Sequence, residues 1–128
     1  MTGYSPNLQR LVTALNEVTA TAESNAIAVA GAKKITLAMT RANHSSGSSA
    51  FSVTGTVDGT TYVTLNKLIT NVVNANTETK VRAASVSLGA NGSELAEIDM
   101  EGLALLAIKV KVTETTDGTH TAKVLIQT

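Results

Sequence analysis

The chain has 128 residues, ten basic and ten acidic, with no cysteine and only 2% aromatic residues. That length suits one domain with a real core. The balanced charge offers no electrostatic footprint for nucleic acid or an anionic membrane. Missing thiols exclude disulfide and thiolate chemistry, and scarce aromatics leave few platforms for sugars or bases.

Residues 1–7 read as an extended arm. Leu8, Leu11, Val12, Leu15 and Val18 then recur at helical spacing, with Asn7 as a candidate cap. An extended strand or arm docking on a neighbouring subunit is the competing reading. The N-terminus lacks the basic start and apolar middle of a signal peptide, so synthesis in a cytosol is expected. No apolar run is long enough to span a bilayer as a helix.

From Ala26 the apolar period changes to two. Ile27 and Val29 form a short strand, Gly31-Ala32 a turn, and Ile35, Leu37 and Met39 alternate with polar neighbours. Residues 43–49 are a polar loop. Phe51, Val53, Val63 and Leu65 flank Val57-Asp58-Gly59. Taking those three residues as the loop sets Val53 against Val63 and Phe51 against Leu65. Residues 67–79 read as a surface segment with one apolar stop among Leu68, Ile69, Val72 and Val73. Residues 81–88 form a strand, turned at Asn91-Gly92 so that Leu88 faces Leu95. Residues 103–112 suit a central strand covered on both faces.

A second Asp-Gly hairpin is predicted around Thr116-Asp117-Gly118. It pairs Ile108, Val110 and Val112 with Ile126, Val124 and Ala122, and turns Lys109, Lys111 and Lys123 to solvent. Gly59 and Gly118 supply the positive φ that such loops require. The expected fold is all-β: an antiparallel β-sandwich or jelly roll of about eight strands over 26–128, preceded by an arm or short amphipathic helix over 1–25. A small closed barrel is the second choice.

Few residues suggest chemistry. His44 and His120 read as solvent-exposed loop histidines without metal-ligand neighbours. His44 beside Ser45 and Ser46 makes no oriented triad. Asp58 and Asp117 read as turn formers. Glu94, Glu97, Asp99 and Glu101 form an acidic stretch in which a calcium site is conceivable, but solvation is the better reading. Asn43-His44-Ser45 and Asn91-Gly92-Ser93 match the glycosylation pattern by chance. The expectation is a protein without catalytic residues, cofactor or metal.

Two resemblances add to this. Phe51-x-Val53-x-Gly55-x-Val57-Asp58-Gly59-Thr60-x-Tyr62, with the later Leu106-Ala107-Ile108-Lys109-Val110, resembles discoidin-type (galactose-binding-like) jelly rolls. Tyr62 stands where that family has Trp, and Leu106 and Lys109 replace its aromatic and Arg. The likeness therefore implies the fold more than a glycan site. In composition (short, cysteine-free, rich in Ala, Thr, Val, Gly and Ser, with an N-terminal arm) the chain is similar to small virion proteins of tailed phages, above all head-decoration proteins.

That second resemblance implies a non-enzymatic protein of the virion, made in the host cytoplasm. It would act as a homo-oligomer, typically a trimer, on the capsid shell protein, with neither nucleic acid nor membrane as partner. Tyr4, Leu8, Leu11, Leu15 and Val18 would make the contacts. An apolar segment outside a closed sandwich needs a partner, which agrees with assembly, and a neutral surface suits crowded subunits. The alternative is a glycan- or surface-binding module with Tyr62 as its platform.

Overall fold

Alternating aliphatic residues sort the chain into two antiparallel sheets that face each other across one aliphatic core. The computed structural model describes residues 9–74, 76–114 and 117–128, and within these there are twelve strands and no helix. In chain order these are β1 (Gln9–Val18), β2 (Ala22–Glu23), β3 (Ile27–Ala28), β4 (Lys34–Ala42), β5 (Ser49–Thr56) and β6 (Val63–Thr64). Then follow β7 (Leu68–Asn74), β8 (Thr77–Ala83), β9 (Ser85–Leu88), β10 (Gly92–Ile98), β11 (Ala107–Glu114) and β12 (Thr119–Gln127). One sheet runs β1-β12-β4-β10-β7-β8. The other runs β2-β11-β5-β6, with β3 also on β11 and β9 also on β5.

The predicted β-sandwich is therefore present, with more and shorter strands than eight. Ile35, Leu37, Met39, Phe51, Val53, Ile108, Val110, Val112, Ala122 and Val124 are wholly buried. This is the inward set that alternation selects. Burying such side chains is worth about 1.5–3 kcal/mol each, so the core is the main stabilising term.

Residues 9–18 form a strand, which answers the open choice between helix and extended segment. The helical spacing has a definite origin. β1 pairs residue for residue with β12 from Gln9↔Gln127 to Thr13↔Lys123, then shifts register between Thr13 and Leu15 and again between Leu15 and Val18. Each irregularity inserts a residue. Val12, Leu15 and Val18 thus face the core at a spacing of three although the segment is a strand and not a helix. The arm over 1–7, with its cap Asn7, lies outside the described residues.

Pairing corrects the sequence reading in several places. Strands β11 and β12 lie in different sheets, so the second Asp-Gly loop (Thr116 lies outside the described residues) joins the two layers instead of closing a hairpin. The partner of β11 is β5, with Val110 opposite Val53 and Val112 opposite Phe51. β9 and β10 likewise belong to different layers. Leu88 is buried while Leu95 is 66% exposed on the outer face. β7 and β8 pair antiparallel from Leu68↔Ala83 to Asn74↔Thr77 where a wandering segment was expected, with Leu68 fully buried; the side chains of Val72 and Val73 lie outside the description. β11 begins only at Ala107 and buries one face, since Lys109 and Lys111 point outward.

The first Asp-Gly hairpin exists in a register two residues from the one expected. Thr54 pairs with Thr64 and Gly55 with Val63, which leaves Val63 61% exposed. The loop itself explains the slip. The Asp58 carboxylate accepts the N–H groups of Thr60 and Thr61, both at 2.8 Å, and Thr56 Oγ1 accepts the Gly59 N–H at 3.0 Å. These bonds build a longer loop than three residues and hold Gly59 at φ +82°. They also keep the Asp58 carboxyl below its ordinary range, first through the Thr60 N–H and then that of Thr61.

Candidate functional site

The described residues offer one dense polar constellation, and it is internal. The alternation of β4 carries past Met39 to Arg41, and that of β12 begins at His120 before Ala122. Both side chains point inward, and they are register partners on adjacent strands. The predicted exposed position of His120 is thus corrected, because its side chain is fully buried.

Its ring is held from both sides. Nδ1 lies 3.1 Å from the Val18 carbonyl oxygen and Nε2 lies 2.7 Å from Ser49 Oγ. A carbonyl only accepts, so Nδ1 carries a proton, and in the neutral ring the Ser49 hydroxyl donates to Nε2. Phe51 meets the ring edge-on with centroids 6.1 Å apart. Glu114 Oε2 is buried 4.0 Å from Nδ1 and has no hydrogen-bond partner among the described residues.

Ser49, His120 and Glu114 have the residue types of a hydrolytic triad but not its layout. Nδ1 is committed to a backbone carbonyl instead of the carboxylate. Ser49 is 1% exposed, so no substrate carbonyl reaches its oxygen unless the strands part. What the group does is tie β1, β5 and β12 together across the two layers.

Arg41 performs the same task for the loops at this end. Nη1 donates to the carbonyls of Gly47 and Leu88, both at 2.9 Å. Nη2 donates to those of Ser46 at 3.0 Å and Asp117 at 2.7 Å. The Asp117 carboxylate, 3.7 Å from Nη2, accepts the Ser45 N–H at 3.1 Å and the Ser45 hydroxyl. Ser45 holds the Asp117 carboxyl below its usual range, by its hydroxyl first and its N–H next. Asp117 is therefore a long-range brace more than a turn former. His44 N–H donates to Asn91 Oδ1 at 2.8 Å, and His44 Nε2 lies 3.1 Å from the Gly47 carbonyl. Gly118, at φ +116°, leaves little room for a side chain: a Cβ would be strained there and would stand 3.1 Å from Arg41 Nε and 3.3 Å from the Ala42 carbonyl oxygen.

The acidic stretch brings no ligand cage together. Asp99 pairs with Arg82 and caps the Glu101 N–H at 3.0 Å, which leads the causes that depress its carboxyl. No group of three or more metal-binding side chains occurs among the described residues. Tyr62 carries the Lys109 ammonium 4.3 Å above its ring, which occupies one face of the expected glycan platform.

Of the residues named as partner contacts, Tyr4 and Leu8 lie outside the described residues. Leu15 is buried in the chain's own core, Val18 is half-buried against it, and Leu11 is 62% exposed. The outer face of the β1 sheet also bears Leu95 and Leu125. A groove of about 340 Å³ lies there, lined by Thr36, Ile69, Lys80, Leu95 and Glu97. It forms where β10 and β7 pair over only two residues.

No protein-family profile and no curated protein matches the sequence. Solved structures do match. The chain is similar to the SPBc2 prophage-derived protein YomS (TM-score 0.67, 15% identity, all of both chains covered). It is also similar to the PBSX exported protein XepA (TM-score 0.70, 14% identity), with 98% of this chain matching 39% of that one. A chain of the infectious bursal disease virus Gx strain aligns at TM-score 0.54 and 9% identity, over 96% of this chain and 32% of the other. At such identities the likeness is one of fold, shared with two prophage proteins and a virus.

Proposed function

We propose that this chain is a structural protein of a bacteriophage particle that works by association, with no chemistry of its own. The observation that carries this reading is a sandwich whose polar groups are spent on bracing strands and loops, while large apolar side chains stand unpartnered on its outside. Buried histidine, serine and arginine rigidify the scaffold. Leu11, Leu95 and Val57, each more than half exposed, are surfaces to be covered. The shared fold with two prophage proteins and a viral chain supports a phage setting.

Within that setting the finer reading is decoration or stabilisation of the capsid, with copies of itself and the shell protein as partners. The protein would reside in the virion after synthesis in the host cytoplasm. Neither a nucleic acid nor a membrane partner is needed, given the balanced charge. The test is cosedimentation of the purified chain with particles from a phage deleted for its gene. Saturable binding is expected, and failure to bind at any concentration would overturn the reading.

A further inference from the structure

Three positions in this chain place Asp or Asn directly before a glycine: Asp58-Gly59, Asn91-Gly92 and Asp117-Gly118. In such a pair the side-chain carbonyl carbon lies within reach of the next backbone nitrogen. A five-membered ring can close, and glycine brings no Cβ to obstruct the attack.

Two of the three are blocked. The Asp58 carboxylate is engaged by the Thr60 and Thr61 N–H groups, and the Gly59 N–H is itself donated to Thr56 Oγ1 at 3.0 Å. The Asp117 carboxylate is engaged by Ser45, while Arg41 and the Ala42 carbonyl crowd Gly118. Both carboxyls are held below the ordinary range, chiefly by the Thr60 N–H and the Ser45 hydroxyl respectively. An ionised carboxylate resists nucleophilic attack.

Asn91 differs in each respect. Its amide is uncharged, so Cγ is the better electrophile. The residue is exposed in the bend between β9 and β10. Nothing lies within 4 Å of where a Cβ on Gly92 would stand, which leaves space for a ring and for water. The His44 N–H donates to Asn91 Oδ1 at 2.8 Å. That oxygen gains charge when Cγ is attacked, and a preorganised donor at this distance stabilises the oxyanion. The donor is itself held in place. Its loop is tied to Arg41 through the Ser46 and Gly47 carbonyls, and to Asp117 through Ser45.

We propose that Asn91 is a self-modification site, deamidated within the folded chain with the His44 N–H as oxyanion donor. The Gly92 backbone nitrogen attacks Asn91 Cγ and gives its proton to solvent hydroxide. The tetrahedral intermediate expels ammonia, which takes a proton from water and so returns the hydroxide, and a cyclic imide remains. Water then opens the imide at either carbonyl, giving aspartate or isoaspartate. Nothing is oxidised or reduced, and water is the sole co-reactant. Either product adds one negative charge to a chain of formal charge zero. The isoaspartyl product also lengthens the backbone by one carbon at the turn that His44 holds. The reaction is independent of the assembly reading above.

The test incubates the purified full-length chain for days in mildly alkaline buffer made with heavy-oxygen water. Anion-exchange chromatography and peptide mass spectrometry follow the products. A more acidic species should grow in, with one solvent oxygen incorporated at residue 91 and isoaspartate among the products. Conversion should be at least as fast in the folded chain as in urea. A turn that protects its asparagine does the opposite, so conversion confined to the unfolded chain would overturn the proposal.

Asn91→Gln, which requires a larger ring, should abolish the acidic species. His44→Pro removes the donor N–H and should slow conversion about tenfold, less than in a water-excluded site because this turn is open to solvent. A wild-type rate in His44→Pro, or modification of another asparagine in place of Asn91, would overturn the assignment. The comparison with urea needs wild type alone, so it decides the matter even where a proline disturbs the loop.

Discussion

The two ends of the sandwich are built on opposite plans. At the end where β4 finishes and β12 begins, three loops are joined to one another by groups far apart in sequence. Arg41 reaches carbonyls on all three, and Asp117 binds Ser45 across 72 residues. At the other end, the loop after β5 closes on itself through Thr56 and Asp58. Its Val57 is left 70% exposed, beside the exposed Leu106 and Val63. An end whose polar groups bind each other has little left for a partner. An end that satisfies its backbone locally can present apolar side chains. Rigidity and availability are thus segregated along the strands.

The braced end should be the costlier to disturb. Arg41→Met keeps an apolar stem but strands four carbonyls, that of Leu88 in a fully buried bond. A loss of about 3–5 kcal/mol in urea unfolding is expected. A loss below about 1 kcal/mol would mean that the loops hold without it.

Acid probes the same brace. A carboxyl whose folded pKa is depressed adds stability above its unfolded value near 4, and that stability disappears as pH falls through the folded value. The gap in unfolding midpoint between wild type and Asp117→Asn should therefore be open at about pH 7 and closed near pH 2. A gap that persists in strong acid would show that the carboxylate charge is not what Ser45 reads. At the open end, Val57→Ser should shift stability by no more than about 0.5 kcal/mol. A large loss there would show that Val57 is part of the fold and not of a surface.

How much of this was legible in the chain depends on what a residue pattern encodes. Period-two alternation sorts side chains by face, so Leu37, Val53, Val110 and Val124 are identified as core without coordinates. It does not say which strand lies beside which. Pairing Val110 with Val124 and pairing it with Val53 satisfy the alternation equally, and only the second occurs. The same alternation, carried one step further, reaches Arg41 and His120. Their inward orientation was readable, but their polarity argued for the surface until partners such as Ser49 and Val18 came from distant strands. The double irregularity of β1 imitates a helical period, so this strand was the segment hardest to read. Asp58 shows the converse, a local motif whose side-chain bonds overrode the register that apolar pairing favoured.

That this protein is part of a phage particle is the proposal on which its other roles depend. Its most direct test is quantitative mass spectrometry of gradient-purified phage. The prediction is that the chain travels with the particles at a fixed ratio to the shell protein in every preparation. Recovery of the chain solely in the soluble lysate, with none on the particles, would contradict it.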